Sequence, residues 1–130
     1  MAKYKNVMII DDDPVTLIIG EKLMKITNFS ENVTSYSNGA DALDYLKQQL
    51  FKQVDTAIPQ MIFLDLNMPG INGWEFMELF SHLNAGIQPL PVLTIFSSTV
   101  EKEDKDKAFR YSFVKNFFLK PLQKAHLEIL

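Results

Sequence analysis

The sequence contains no cysteine, which excludes a disulfide framework, a Cys-based zinc site and a thiol nucleophile. It also lacks any apolar run near the roughly 20 residues of a membrane span. The one stretch that follows basic residues, NVMII after Lys3 and Lys5, is broken at once by Asp11, Asp12 and Asp13, so it is not the apolar region of a signal peptide. No cluster of Lys and Arg is present and the net charge is -3, which argues against a nucleic-acid surface. No Ser/Gly/Pro-rich linker, charge block, repeat or low-complexity tract divides the 130 residues. The expectation is one soluble, cytoplasmic domain with no output domain attached.

What is present suffices for a core. Hydrophobic residues make up 47% of the chain and ten are Phe, so neither a structural metal nor disulfides are needed to hold it together. The apolar run over residues 6–10 reads as a buried strand stopped by DDDP. From Pro14 onward Val15, Ile18, Ile19, Leu23 and Ile26 recur at helical spacing, with Asp13 as N-cap. A second strand is predicted over residues 32–37, ending at Asn38 and Gly39. A helix with the face Ala42, Leu43, Leu46 and Leu50 follows, then a less regular stretch to Pro59. MIFLDL, residues 61–66, is apolar on both faces apart from Asp65, as a central strand beneath helices would be. NMPGING turns into a helix with the face Phe76, Leu79, Phe80 and Leu83. PVLTIF leads to the hydroxyls of Ser97, Ser98 and Thr99, residues 100–111 read as a charged helix, VKNFFL as a fifth strand and residues 122–130 as a short last helix. Strict alternation of strand and helix predicts a doubly wound α/β sandwich, a parallel sheet with helices on both faces and ligands at the carboxyl ends of the strands.

On that map Asp11 and Asp12 end the first strand, Asp65 the third, Ser97 the fourth and Lys120 the fifth. Each alone reads as a turn residue or a cap; together they converge on one rim. Three crowded carboxylates raise one another's pKa unless a cation lies among them. A small all-oxygen site with room for water and phosphate oxygens suits Mg²⁺ (or Mn²⁺) better than Ca²⁺. Beside Asp65, the Ser97 hydroxyl and the Lys120 ammonium are the donors that a phosphorylated carboxylate would need.

IIDDDP, FLDLNMPGINGWEF, the Ser97 cluster and FFLKPL stand in the order and at the spacings of the response-regulator receiver family of two-component signalling, which this chain resembles along nearly its whole length. The resemblance implies a flavodoxin-like (βα)5 fold with strand order 2-1-3-4-5. It implies that Asp65 is the phosphoacceptor, that Asp11 and Asp12 hold Mg²⁺ with Asp65 and the Asn67 backbone carbonyl, and that Lys120 pairs with the phosphate. It further implies that a histidine kinase or phosphotransfer protein is the donor and that Asn67 and Thr99 tune dephosphorylation. Ser97 and Phe117 would then switch the face made by the fourth helix, fifth strand and last helix, where a downstream protein binds. Such a domain catalyses only its own phosphorylation and dephosphorylation, and is a monomer or weak dimer.

Four features depart from the family pattern, one being that the segment from Leu50 to Pro59 is somewhat long. Phe117 lacks the hydroxyl of the commoner Tyr. The run PVLTIFSS is about one residue long, so Ser98 or Thr94 competes with Ser97 for the role of switch hydroxyl. The last helix barely reaches two turns. Two other readings stay open: a metal-dependent aspartyl phosphatase, disfavoured because Asn67 stands where a general acid is wanted, and an interaction module that is never phosphorylated.

Overall fold

The strand most firmly dictated by its sequence lies at the centre of the sheet. In the computed structural model, which describes residues 2–52, 58–83 and 91–130 (side chains of 50–52 excepted), β3 (Met61–Asp65) is buried at all five positions. MIFLD has no polar residue before its last, as a strand covered on both faces requires. β1 (Tyr4–Ile10) pairs along one side and β4 (Val92–Ser97) along the other, with β2 (Ser30–Tyr36) outside β1 and β5 (Val114–Leu119) outside β4. All pairings are parallel and the order is β2-β1-β3-β4-β5, the flavodoxin-like topology expected. The chain reverses direction across the sheet between β1 and β3, so the carboxyl ends of those strands border the crevice.

The helices are α1 (Pro14–Ile26), α2 (Gly39–Lys52), α3 (Gly73–Leu83), α4 (Lys102–Ala108) and α5 (Lys124–Ile129). On one face Ala42, Leu43 and Leu46 of α2 and Phe76, Met77 and Phe80 of α3 join Ile10, Leu64, Ile95 and Phe117 of the sheet. On the other, Met24 of α1 and Leu127 of α5 cover Val7, Ile9, Phe63 and Phe96. Cross-links of mixed chemistry tie α3 to the α4 region: Lys107 Nζ lies 4.3 Å from the centre of the Trp74 ring, and Tyr111 donates to Glu78 at 2.9 Å.

The apolar face expected for α1 is not the face it buries. Of Val15, Ile18, Ile19, Leu23 and Ile26, only Leu23 packs on the core, and Ile18, Ile19 and Ile26 are 53%, 52% and 81% exposed. The helix is apolar nearly all round, so periodicity alone could not orient it. Size decides instead: a Cβ on buried Gly20 would stand 3.0 Å from Ile9 Cδ1, so the helix lies close to β1 along its Gly20–Met24 line. On α3, similarly, Met77 takes the buried place expected of Leu79, which is exposed. Strands β1 and β2 each begin two residues earlier than expected because Tyr4 pairs with Ser30, and β2 ends one residue sooner, at Tyr36. The helix expected over residues 100–111 is confined to Lys102–Ala108, and α5 starts two residues late, at Lys124. Leu50 and most of the stretch to Pro59 lie outside the described side chains.

Candidate functional site

β1 delivers Asp11 directly after its last residue and β3 delivers Asp65 as its last, so both carboxylates rise from the middle of the sheet. They are buried, 3% and 4% exposed respectively, whereas Asp12 points to solvent. One carboxylate oxygen from each of the three can be chosen so that all lie within 4.8 Å of one another. Lys120, the first residue past β5, places Nζ 2.8 Å from Asp11 Oδ2 and 3.2 Å from Asp65 Oδ1. Its own backbone N–H donates to the Ser97 carbonyl at 2.8 Å, which locks the ends of β4 and β5 together.

Backbone donors hold the acids in place. Asp11 Oδ1 accepts from Asp13 N–H at 2.9 Å, and Asp65 Oδ1 from Asn67 N–H at 3.2 Å. Asp13 caps α1 as expected, taking Val15 N–H at 3.1 Å and the Thr16 hydroxyl at 2.8 Å, so its side chain is turned to the helix rather than to the cluster. The loop after Asp65 folds back on itself: Gly73 N–H donates to Leu66 O at 3.0 Å, and a Cβ on Gly73 would meet Leu66 Cα at 2.6 Å and Asp65 O at 2.7 Å. Only glycine fits this return, which positions Asp65 and Asn67.

Burial first and the Asp11 charge second push the Asp65 carboxyl up to about 6, even though Lys120 and the Asn67 N–H pull in the other direction. Burial by itself would lower the Lys120 ammonium, but its bonds to Asp11 and Asp65 prevail and hold it above the usual lysine value. One lysine thus balances two buried carboxylates incompletely. The remaining deficit, the all-oxygen donor set and exposed Asp12 fit a small divalent cation.

The remaining predicted residues lie on β4, β5 and the loop after β4. Ser97 is buried at the end of β4, on the sheet face that carries Ile95 and Phe117, and its Oγ accepts Thr99 N–H at 3.3 Å. Ser98 and Thr99 are exposed. Thr94 is buried three residues short of the rim, donating to Met61 Sδ at 3.6 Å and accepting from Asn116 at 3.2 Å, and so lies away from the acids. The irregularity suspected in β4 lies in β5 instead: Leu93 pairs with Val114 and Thr94 with Asn116, leaving Lys115 as the extra residue. Phe117 is buried among core residues.

Sequence reasoning missed His126. Its ring stacks on Phe118 at 4.7 Å, lies 5.3 Å from Phe96 and caps α5. The Gln123-to-His126 spacing was the available signal, since it matches a capping box with an unusual fourth member.

Residues 7–129 match the family described as the response regulator receiver domain. The chain belongs to that family. As a receiver domain it is 29% identical to a two-component response regulator from Cytophaga hutchinsonii whose crystal structure superposes with a TM-score of 0.84, covering 99% of this chain and 94% of that one. The probable methanogenesis regulatory protein FilR2 of Methanothrix harundinacea is 25% identical over 117 residues, 89% of this chain and 72% of that protein. Other curated relatives are longer, and the chain spans from 23% to 53% of their length. The receiver domain of the Arabidopsis thaliana histidine kinase CKI1, crystallised with Mg²⁺ and BeF3-, shares the fold at 18% identity and a TM-score of 0.68, over 86% of this chain and 80% of that one. No helix among the described residues is long and apolar enough to cross a membrane.

Proposed function

We propose that this receiver domain is a phosphoryl-operated switch in which Asp65 takes a phosphoryl group from a phosphohistidine of a histidine kinase or phosphotransfer protein. The observation that carries this reading is the Asp11, Asp12 and Asp65 cluster within 4.8 Å, two members of it buried and shared by the single ammonium of Lys120. Asp11, Asp12 and Asp65, with the Asn67 carbonyl, would hold Mg²⁺ (or Mn²⁺), which supplies charge neutralisation between the acceptor carboxylate and the incoming phosphoryl group. An Asp65 carboxylate oxygen attacks phosphorus, an O–P bond forms, and the P–N bond to the donor imidazole breaks with its electron pair leaving on nitrogen. Asn67 N–H and the glycine-dependent loop fix the direction of attack. Lys120 passes from the carboxylates to a phosphoryl oxygen, and the Ser97 hydroxyl exchanges its bond with Thr99 N–H for a second one.

The same reading assigns signalling to Ser97 and Phe117, which share one side of the sheet, and dephosphorylation tuning to exposed Asn67 and Thr99. Exposed Phe109 and Leu119 make the α4-β5-α5 face suited to a downstream protein. Across the rim, the exposed stripe of Val15, Ile18 and Ile19 begins directly beyond the acid pair and offers apolar surface to the protein that brings the phosphoryl group. The CKI1 receiver domain carrying Mg²⁺ and BeF3- is a precedent for such a ligand pair on this fold. Incubation with Mg²⁺ and acetyl phosphate should add the mass of one phosphoryl group, and Asp65→Asn should abolish the gain. Wild-type protein that gains no such mass from acetyl phosphate or from a phosphohistidine donor would overturn the reading.

A further inference from the structure

Behind the acceptor, on the sheet face covered by α1 and α5, the sequence places a run of rings. Asp65 is the register partner of Phe96, and Phe96 that of Phe118. Asp65, Lys120, Phe63, Phe96 and Leu122 line one cleft with room for about 20 Å³, little more than one water, so Phe96 and the acceptor border the same small space. The Phe96 ring is 5.7 Å from Phe63 and 5.5 Å from Phe118, and His126 meets it edge-on at 5.3 Å and 77°. His126 also lies 4.7 Å from Phe118, nearly parallel at 29°.

The same imidazole starts α5. Its Nδ1 accepts the Gln123 N–H at 3.0 Å, while the His126 N–H donates to the Gln123 carbonyl at 3.0 Å, so two bonds join the pair. That bond requires an unprotonated Nδ1, hence the neutral ring with hydrogen on Nε2. Burial lowers the His126 pKa and so favours this capping form. Gln123 is only three residues past Lys120, so the segment that leaves the site is the one His126 fastens. A displacement of Phe96 or of the Lys120–Gln123 segment therefore cannot occur without altering the His126 ring contacts or its capping bond.

Resting on the reading of Asp65 as acceptor, we propose that Phe96 and His126 form a relay from the phosphoryl site to α5, on the sheet face opposite Ser97 and Phe117. Loading of Asp65 crowds the space it shares with Phe96 and draws Lys120 toward the new oxygens, and the His126 ring contacts and cap shift with them. Linkage makes the effect reciprocal: removing the cap changes the affinity of the site by the same factor. One capping bond corresponds to a change of about two- to fivefold.

The full chain contains a convenient control, since its other histidine, His82, sits on α3 beside Glu78, away from the relay. Wild-type protein in Mg²⁺ is titrated with beryllofluoride while NMR follows the Asn67 amide and the imidazole resonances of His126 and His82. The expected result is that His126 shifts with the same midpoint as Asn67 while His82 stays in place. In His126→Phe, which keeps a ring but loses the acceptor nitrogen, the Asn67 midpoint should move about two- to fivefold. An Asn67 amide that responds while His126 is unmoved, with the midpoint unchanged in His126→Phe, overturns the relay and leaves the acceptor assignment intact. An Asn67 amide that never responds removes the acceptor reading and the relay with it.

Discussion

Two neighbouring parts of this domain invert the ordinary relation between chemistry and burial. Asp11 and Asp65 are charged and nearly fully buried, whereas Val15, Ile18 and Ile19, one helical turn or two away, are apolar and more than half exposed. The two exceptions are not equal in cost. A buried carboxylate must have a partner or change its protonation, while an isolated exposed aliphatic side chain loses little. The acid pair therefore makes the fold depend on Lys120, and the α1 stripe makes it depend on nothing. Sites where local rules fail are expected at functional positions, and here one failure is supported by the rest of the fold while the other costs the fold little and serves the docking proposed above.

Lys120→Met should produce the largest effect, because it leaves two buried carboxylates facing one another. A loss of about 3–5 kcal/mol in urea unfolding is expected, typical of breaking a buried ion pair from one side. Mg²⁺ should restore part of it. A loss below about 1 kcal/mol would place the pair in the class of solvent-screened surface contacts.

The buried and exposed lines of α1 give the next contrast. Met24→Ala should cost about 2–4 kcal/mol through a cavity against Val7 and Ile9. Ile18→Ser, six residues earlier on the outer stripe, should change stability by no more than about 0.5 kcal/mol. Comparable losses at the two positions would show the helix to be turned about its axis from the orientation described above.

Asp65→Asn should act in the opposite direction and stabilise the metal-free protein. The folded carboxyl is pushed up to about 6, above its value near 4 in an unfolded chain, so the folded state binds the proton more tightly. Wild-type stability therefore rises as pH falls through this window, and the ionised carboxylate weakens the fold above it. The Asn variant should be more stable by about 1–3 kcal/mol at pH 7.5, the size of a two-unit shift, with the gain shrinking from pH 6 toward pH 4. A variant less stable than wild type at pH 7.5 would mean that the bond to Lys120 outweighs burial and the repulsion from Asp11.

Much of this was legible in the sequence for identifiable physical reasons. MIFLD reads as a central strand because the run is apolar on both faces, too short for a helix and bounded by turn residues, and the acid pair, Asp65 and Lys120 fall on one rim once strands and helices alternate. Asp13 was legible as a cap because Pro14 fixes the helix start. The orientation of α1 was not, since its apolar residues spread around most of its circumference and only the closeness of Gly20 to Ile9 selects the inner line. The extra residue at Lys115 was equally hidden, because VKNFFL alternates as well with it as without it. His126 was hidden by its chemistry: a histidine in a polar stretch resembles a surface residue until its ring is seen against Phe96 and Phe118. Ser97 could be preferred over Ser98 only by counting along β4, and the count depended on where β3 and β4 begin to pair.

The central claim is that the phosphoryl group is carried by Asp65 and by no other group on the rim. The most direct measurement is borohydride reduction of the phosphorylated protein, which converts an acyl phosphate to an alcohol, followed by peptide mass mapping. Homoserine at position 65, with Asp11, Asp12 and Asp13 unchanged, is the predicted result. Homoserine at any of those three positions, or a phosphate that survives reduction on Ser97, would contradict it.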